Sequence, residues 1–95
     1  MKMFFAHPRL AFGGTLKNEK DAEKVADAGV THVINLRRQD NPNLQWFDSL
    51  WVPFKDDKEP RPRWFFNQIL KFAKKALSNP RSRLLVMCHY GMARS

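Results

Sequence analysis

Residues 30–36 (VTHVINL) carry no charged side chain, include four β-branched residues, and lack any helical period. A run this short and this apolar reads as a strand buried in a sheet. Residues 83–88 (RLLVMC) read the same way. Each run is preceded by a helical pattern. In the first, Asn18 is the expected N-cap, Glu19 and Asp21 suit the positive end of the helix dipole, and Gly29 is the expected stop. In the second, residues 64–77 place Phe65, Ile69, Phe72 and Ala76 on one face, flanked by Phe66 and Leu70, with Lys71, Lys74 and Lys75 mainly away from it. Two more strands are expected, at 9–14 closed by a Gly13–Gly14 turn and at the end of 44–54. The order β-α-β-β-α-β with short connections predicts an α/β fold, a central, mostly parallel sheet flanked by helices.

The chain has 95 residues, enough for one small core and too few for two, so residues 1–95 are read as a single domain. No run of 18 apolar residues exists, so no membrane span is expected. The opening MKMFFAHPRLAFGG is interrupted by His7, Pro8 and Arg9, too soon for a secretory signal, and the expected address is cytoplasmic. Trp46, Trp51, Trp64, Phe65 and Phe66 are expected in the core. The lone cysteine, Cys88, cannot form an internal disulfide.

Charge is unevenly spread along the chain. Residues 1–57 hold 8 basic and 8 acidic side chains, whereas 58–83 hold 8 basic side chains and only Glu59. With Arg94 the total is +8. Such a block raises the question of nucleic acid. Lys71, Lys74 and Lys75 read instead as a solvated helix face, and an aromatic platform for single strands is the lesser reading of the tryptophans. Nucleic acid is therefore not the expected partner. One cysteine and the scattered His7, His32 and His89 lack metal-ligand spacing, so no metal is expected.

The final eight residues are Cys88-His89-Tyr90-Gly91-Met92-Ala93-Arg94-Ser95. A short loop after a buried strand can turn its backbone N–H groups inward around an oxyanion. Gly91 permits a close backbone approach, and Arg94 offers a planar fork for two phosphate oxygens. The same field would favour the Cys88 thiolate, placed for in-line attack on phosphorus.

This loop resembles the Cys-x5-Arg-Ser/Thr loop of the cysteine-dependent phosphatases, in particular the dual-specificity branch of the protein tyrosine phosphatase superfamily. RLAFGG, AGVTHVINLR, VPFKDD and the amphipathic helix before RLLVMC look like that family's N-terminal half, in order, over roughly residues 9–95. The resemblance implies a nucleophilic Cys88 that forms a phosphocysteine. Arg94 would bind the phosphoryl group, and the backbone of His89, Tyr90, Gly91, Met92, Ala93 and Arg94 would line the loop. Ser95 would hydrogen-bond Cys88 and help it leave. The family also needs a general acid some thirty residues upstream. Asp56 and Asp57 stand 32 and 31 residues before Cys88, and Asp56 is preferred by ungapped spacing, with Asp57 in reserve. No cofactor is implied. Expected substrates are phosphorylated proteins or small phosphomonoesters. The absence of Lys within the loop favours singly phosphorylated ones over phosphoinositides.

Two departures qualify what the resemblance implies. The family usually places His just before the cysteine, where this chain has Met87, so a less depressed thiol pKa and slower turnover are expected. The helix that should follow Arg94 is lacking, so the chain is expected to be the N-terminal part of a longer domain, poorly active as it stands. A catalytically weak module that binds phosphorylated partners is the alternative. Low-molecular-weight phosphatases place their loop near the N-terminus, and rhodanese-type sulfurtransferases use no upstream acid, so both are more distant readings.

Overall fold

A computed structural model describes residues 3–37, 39–53 and 63–88. They form the strands β1 (Met3–His7), β2 (Leu10–Gly13), β3 (His32–Asn35), β4 (Asp48–Trp51) and β5 (Leu84–Met87), and the helices α1 (Glu19–Asp27) and α2 (Arg63–Leu77). The strands make one sheet in the order β1-β2-β5-β3-β4. Only β1–β2 is antiparallel; β2–β5, β5–β3 and β3–β4 are parallel. This is the mixed, mostly parallel α/β sheet with flanking helices that the alternating pattern predicts.

α1 starts where the sequence suggests. The Asn18 side chain accepts a hydrogen bond from the Asp21 N–H at 3.0 Å, and Glu19 and Asp21 occupy the first turn. It ends in a Schellman arrangement: the Gly29 N–H donates to Ala26 O and the Val30 N–H to Val25 O. Gly29 has φ of 90°, a conformation that L side chains adopt only under strain. By contrast, Gly13 is the last residue of β2 and Gly14 has no positive φ, so the expected glycine turn is an open connection instead.

The two sheet faces are covered differently. Ala11, Val33, Leu85 and Met87 point to one side and pack with Ala22 and Val25 of α1, Val30, Leu16 and Leu44. By alternation, Leu10, Phe12, His32, Ile34, Leu84 and Val86 point to the other. There α2 crosses the sheet, burying Phe65 and Ala76 and setting the Phe72 ring edge-on to His32 at 5.9 Å between centroids. Arg9 secures the end of α2: its guanidinium donates to the carbonyls of Leu77 and Asn79, and its Nε to Ser82 O at 3.1 Å. These include acceptors left without an intrahelical partner at the helix end.

The structure corrects two further expectations. β1 was not anticipated, because Pro8 and Arg9 read as an interruption; they form the tight turn of an antiparallel hairpin whose first strand is an exposed edge. Of the five aromatic residues expected in the core, only Phe65 is buried, whereas Trp46, Trp51, Trp64 and Phe66 are each exposed by between 45% and 63%.

Candidate active site

Parallel strands end together, and in open α/β sheets ligands bind beyond the carboxyl ends of the strands. Here that edge carries Gly13 from β2, Cys88 just past β5, the turn Leu36–Arg37 after β3 and Val52 after β4. Cys88 lies between β2 and β3, the two neighbours of its strand. Its N–H donates to Gly13 O at 3.0 Å, and the Leu36 N–H donates to Met87 O at 2.8 Å. The backbone under the cysteine is therefore held from both sides.

Polar side chains order the connections at this edge. Asn41 caps the 3₁₀ turn Pro42–Leu44, and its amide donates to Thr15 Oγ1 at 3.0 Å and Leu16 O at 2.9 Å. Asn43 donates to the same Leu16 carbonyl at 3.1 Å. The connection after β2 is thus pinned to the one after β3. Asn35, fully buried, donates to Gln39 O at 3.1 Å and accepts the Arg37 N–H at 3.0 Å. This Asx-type arrangement turns the chain sharply after β3. Arg37 then reaches across to β5, where its Nη1 donates to Cys88 O at 3.3 Å.

The thiol itself is buried, 5% exposed. Its S–H lies 3.6 Å from Gly13 O, a weak hydrogen bond that only the protonated form can donate. Burial pushes the Cys88 pKa above its ordinary value of 9.0, and the Arg37 charge works in the opposite direction.

Comparison with solved structures decides the architecture. The chain superposes on DUSP15 with a TM-score of 0.72 and 25% identity, over 90% of this chain and 53% of that one. It superposes on a single-substitution form of human DUSP28 with a TM-score of 0.64 and 26% identity, over 85% of this chain and 55% of that one. This is the dual-specificity phosphatase fold. A mouse protein assigned to the same phosphatases, in complex with zinc tungstate, aligns with a TM-score of 0.63 and 26% identity, over 90% of this chain and 53% of that one. The chain thus spans about half the length of these structures. No protein-family profile and no curated protein sequence matches it.

Within this phosphatase fold, Cys88 occupies the end of the central strand. The other residues singled out by the motif, namely Asp56, Asp57, His89, Tyr90, Gly91, Met92, Ala93, Arg94 and Ser95, lie outside the described residues, as do Lys58 and Arg61. Arg37 and Asn35 were not singled out by the sequence reading. No local signal marks them: Asn35 ends β3 and Arg37 lies two residues on, and their relation to Cys88 depends on β3 lying beside β5. A separate cleft of about 240 Å³ opens at the opposite, amino end of the sheet, between α2 and the starts of β3 and β4. His32, Asp48, Phe72 and Lys75 line it, and it takes no part in the Cys88 edge.

Proposed function

We propose that this chain is part of a cysteine-dependent phosphatase that hydrolyses phosphate monoesters through a phosphocysteine on Cys88. The observation that carries this reading is the position of Cys88. It stands at the carboxyl end of the central parallel strand of a dual-specificity phosphatase fold, directly ahead of HYGMARS. That edge is where backbone N–H groups can gather around a tetrahedral oxyanion. The tungstate complex of the mouse structural neighbour is consistent with such a site, tungstate being a tetrahedral oxyanion.

In this mechanism the Cys88 thiolate attacks phosphorus in line with the leaving oxygen. The S–P bond forms as the P–O bond breaks. Arg94 and the backbone of residues 89–94 stabilise the charge on the equatorial oxygens. Asp56, with Asp57 as the alternative, protonates the departing alkoxide or phenoxide. The same carboxylate then takes a proton from water, which attacks the phosphocysteine, releasing phosphate and the Cys88 thiolate. Ser95 hydrogen-bonds that leaving sulfur. Substrates are singly phosphorylated proteins, on tyrosine or serine/threonine, or small phosphomonoesters. The positive excess over residues 58–83, with Lys58, Arg61 and Arg63 following the acid in sequence, raises the rate at which anionic substrates arrive.

The test is p-nitrophenyl phosphate hydrolysis by the complete polypeptide. Turnover inhibited by vanadate and abolished in Cys88→Ser is expected; turnover unchanged in Cys88→Ser refutes the mechanism. The burial that opposes ionisation of Cys88 gives a second reading some weight, namely a phosphate-binding module with little turnover. Phosphopeptide binding without hydrolysis would select it.

A further inference from the structure

The phosphatase reading asks for a cysteine that ionises near neutral pH, yet the described surroundings of Cys88 oppose this. The thiol is buried and its S–H faces a carbonyl, an interaction lost on ionisation. Its sequence neighbour Met87 is fully buried and brings no charge. Among the described residues, the positive charge that acts on Cys88 comes from another strand. Arg37 extends from the turn after β3 and meets the backbone of Cys88 at 3.3 Å through Nη1.

The placement of Arg37 is built rather than incidental. Its N–H is held by the Asn35 side chain at 3.0 Å, and its carbonyl accepts the Trp51 indole N–H at 2.9 Å. Asn35 is itself fully buried and tied to Gln39 O at 3.1 Å. Two ends of neighbouring parallel strands, β3 and β4, thus fix the backbone of Arg37 before its side chain leaves for β5. Arg37 is half-buried, so its field is screened less than that of a surface charge. A guanidinium stays charged at any physiological pH, and one of its donors is already spent on the Cys88 carbonyl. That hydrogen bond also holds the Cys88 carbonyl in place.

From this geometry we infer that Arg37 is a positioning residue of the Cys88 site: it anchors the Cys88 carbonyl and sets a permanent positive charge next to that residue. The inference rests on the phosphatase reading for its purpose and on the β3–β5 geometry for its substance. Its effect is to pull the Cys88 thiol pKa back down against burial and the Gly13 carbonyl. Gly13 from β2 contributes no charge, so Arg37 is the described charged group that acts on the thiol.

The decisive measurement is the pH dependence of Cys88 alkylation by iodoacetamide in the chain as it stands, which needs no substrate and no turnover. Cys88 is the lone cysteine, so labelling reports on one site. Arg37→Gln is expected to raise the apparent pKa of alkylation by about half a unit or more, a threefold loss of thiolate at neutral pH. Arg37→Met, which keeps the apolar stem, is the second neutral variant should the first not fold. Arg37→Lys keeps the charge and is expected to stay near the wild-type profile. Superimposable profiles for the wild type and the neutral variants overturn the inference, as does Arg37→Lys behaving like them. Hydrolysis that survives Cys88→Ser in the complete polypeptide would refute the phosphatase reading instead, leaving the alkylation result to stand on its own.

Discussion

At the end of β3 a single amide, that of Asn35, serves two backbone groups at once: it donates to Gln39 O and accepts the Arg37 N–H. Both groups sit in a half-buried turn, and a polar group left unpaired away from water costs about 1–3 kcal/mol. Asn35→Ala is therefore expected to destabilise the chain by about 2 kcal/mol or more, read by urea denaturation. It is also expected to loosen Arg37 and so raise the alkylation pKa of Cys88, an effect a purely structural role would not produce. The exposure of Trp51, expected from its apolarity to be in the core, has the same origin. Its indole N–H donates to the Arg37 carbonyl in the turn after β3, at an exposed position, and a buried ring would forfeit that hydrogen bond.

Among the secondary elements, helix boundaries were the most legible part of the sequence, because capping is local chemistry. Asn18, the acidic first turn and Gly29 all act where the pattern places them. Gly29→Ala is expected to cost about 1–2 kcal/mol, because an added Cβ is strained at positive φ. The new carbon would also sit 3.2 Å from Cδ of Arg83, whose guanidinium is held on Ala28 O at 2.9 Å. Thermal unfolding of the variant checks this. β1 was not legible for a physical reason: an exposed edge strand needs no alternation, and its hairpin turn lacks the glycine that marks tight turns. The aromatic residues misled for a related reason. Composition reports apolarity, whereas exposure depends on which face of α2 lies over the sheet, and Trp64 and Phe66 flank the buried Phe65. At the site, spacing pointed to Cys88, but Arg37 depends on β3 lying beside β5, a register no local pattern encodes.

For the whole molecule, the buried thiol couples stability to pH on the alkaline side. Its folded-state pKa lies above the ordinary 9.0, so the folded chain holds the proton more tightly than the unfolded chain. The resulting stabilisation is complete below pH 9.0 and is lost as pH rises through the folded value. The stability difference between wild type and Cys88→Ala is therefore expected to shift against the wild type above pH 9.0, measured by denaturation across an alkaline series. Asp21 acts at the other extreme: the Lys17 N–H holds its pKa below 3.8, and that contribution fades as the solution is acidified past it. The sheet order has one more consequence, and it concerns time. β5 is the last described strand of the chain yet the middle one of the sheet. A nascent chain emerging from a ribosome presents first a hairpin and then a separate β3–β4 pair, with nothing between them. Only when residues 84–87 arrive can the two halves join, through contacts remote in sequence and slow to close. The segment that delivers the cysteine is thus also the one that lets the two halves of the sheet meet during synthesis.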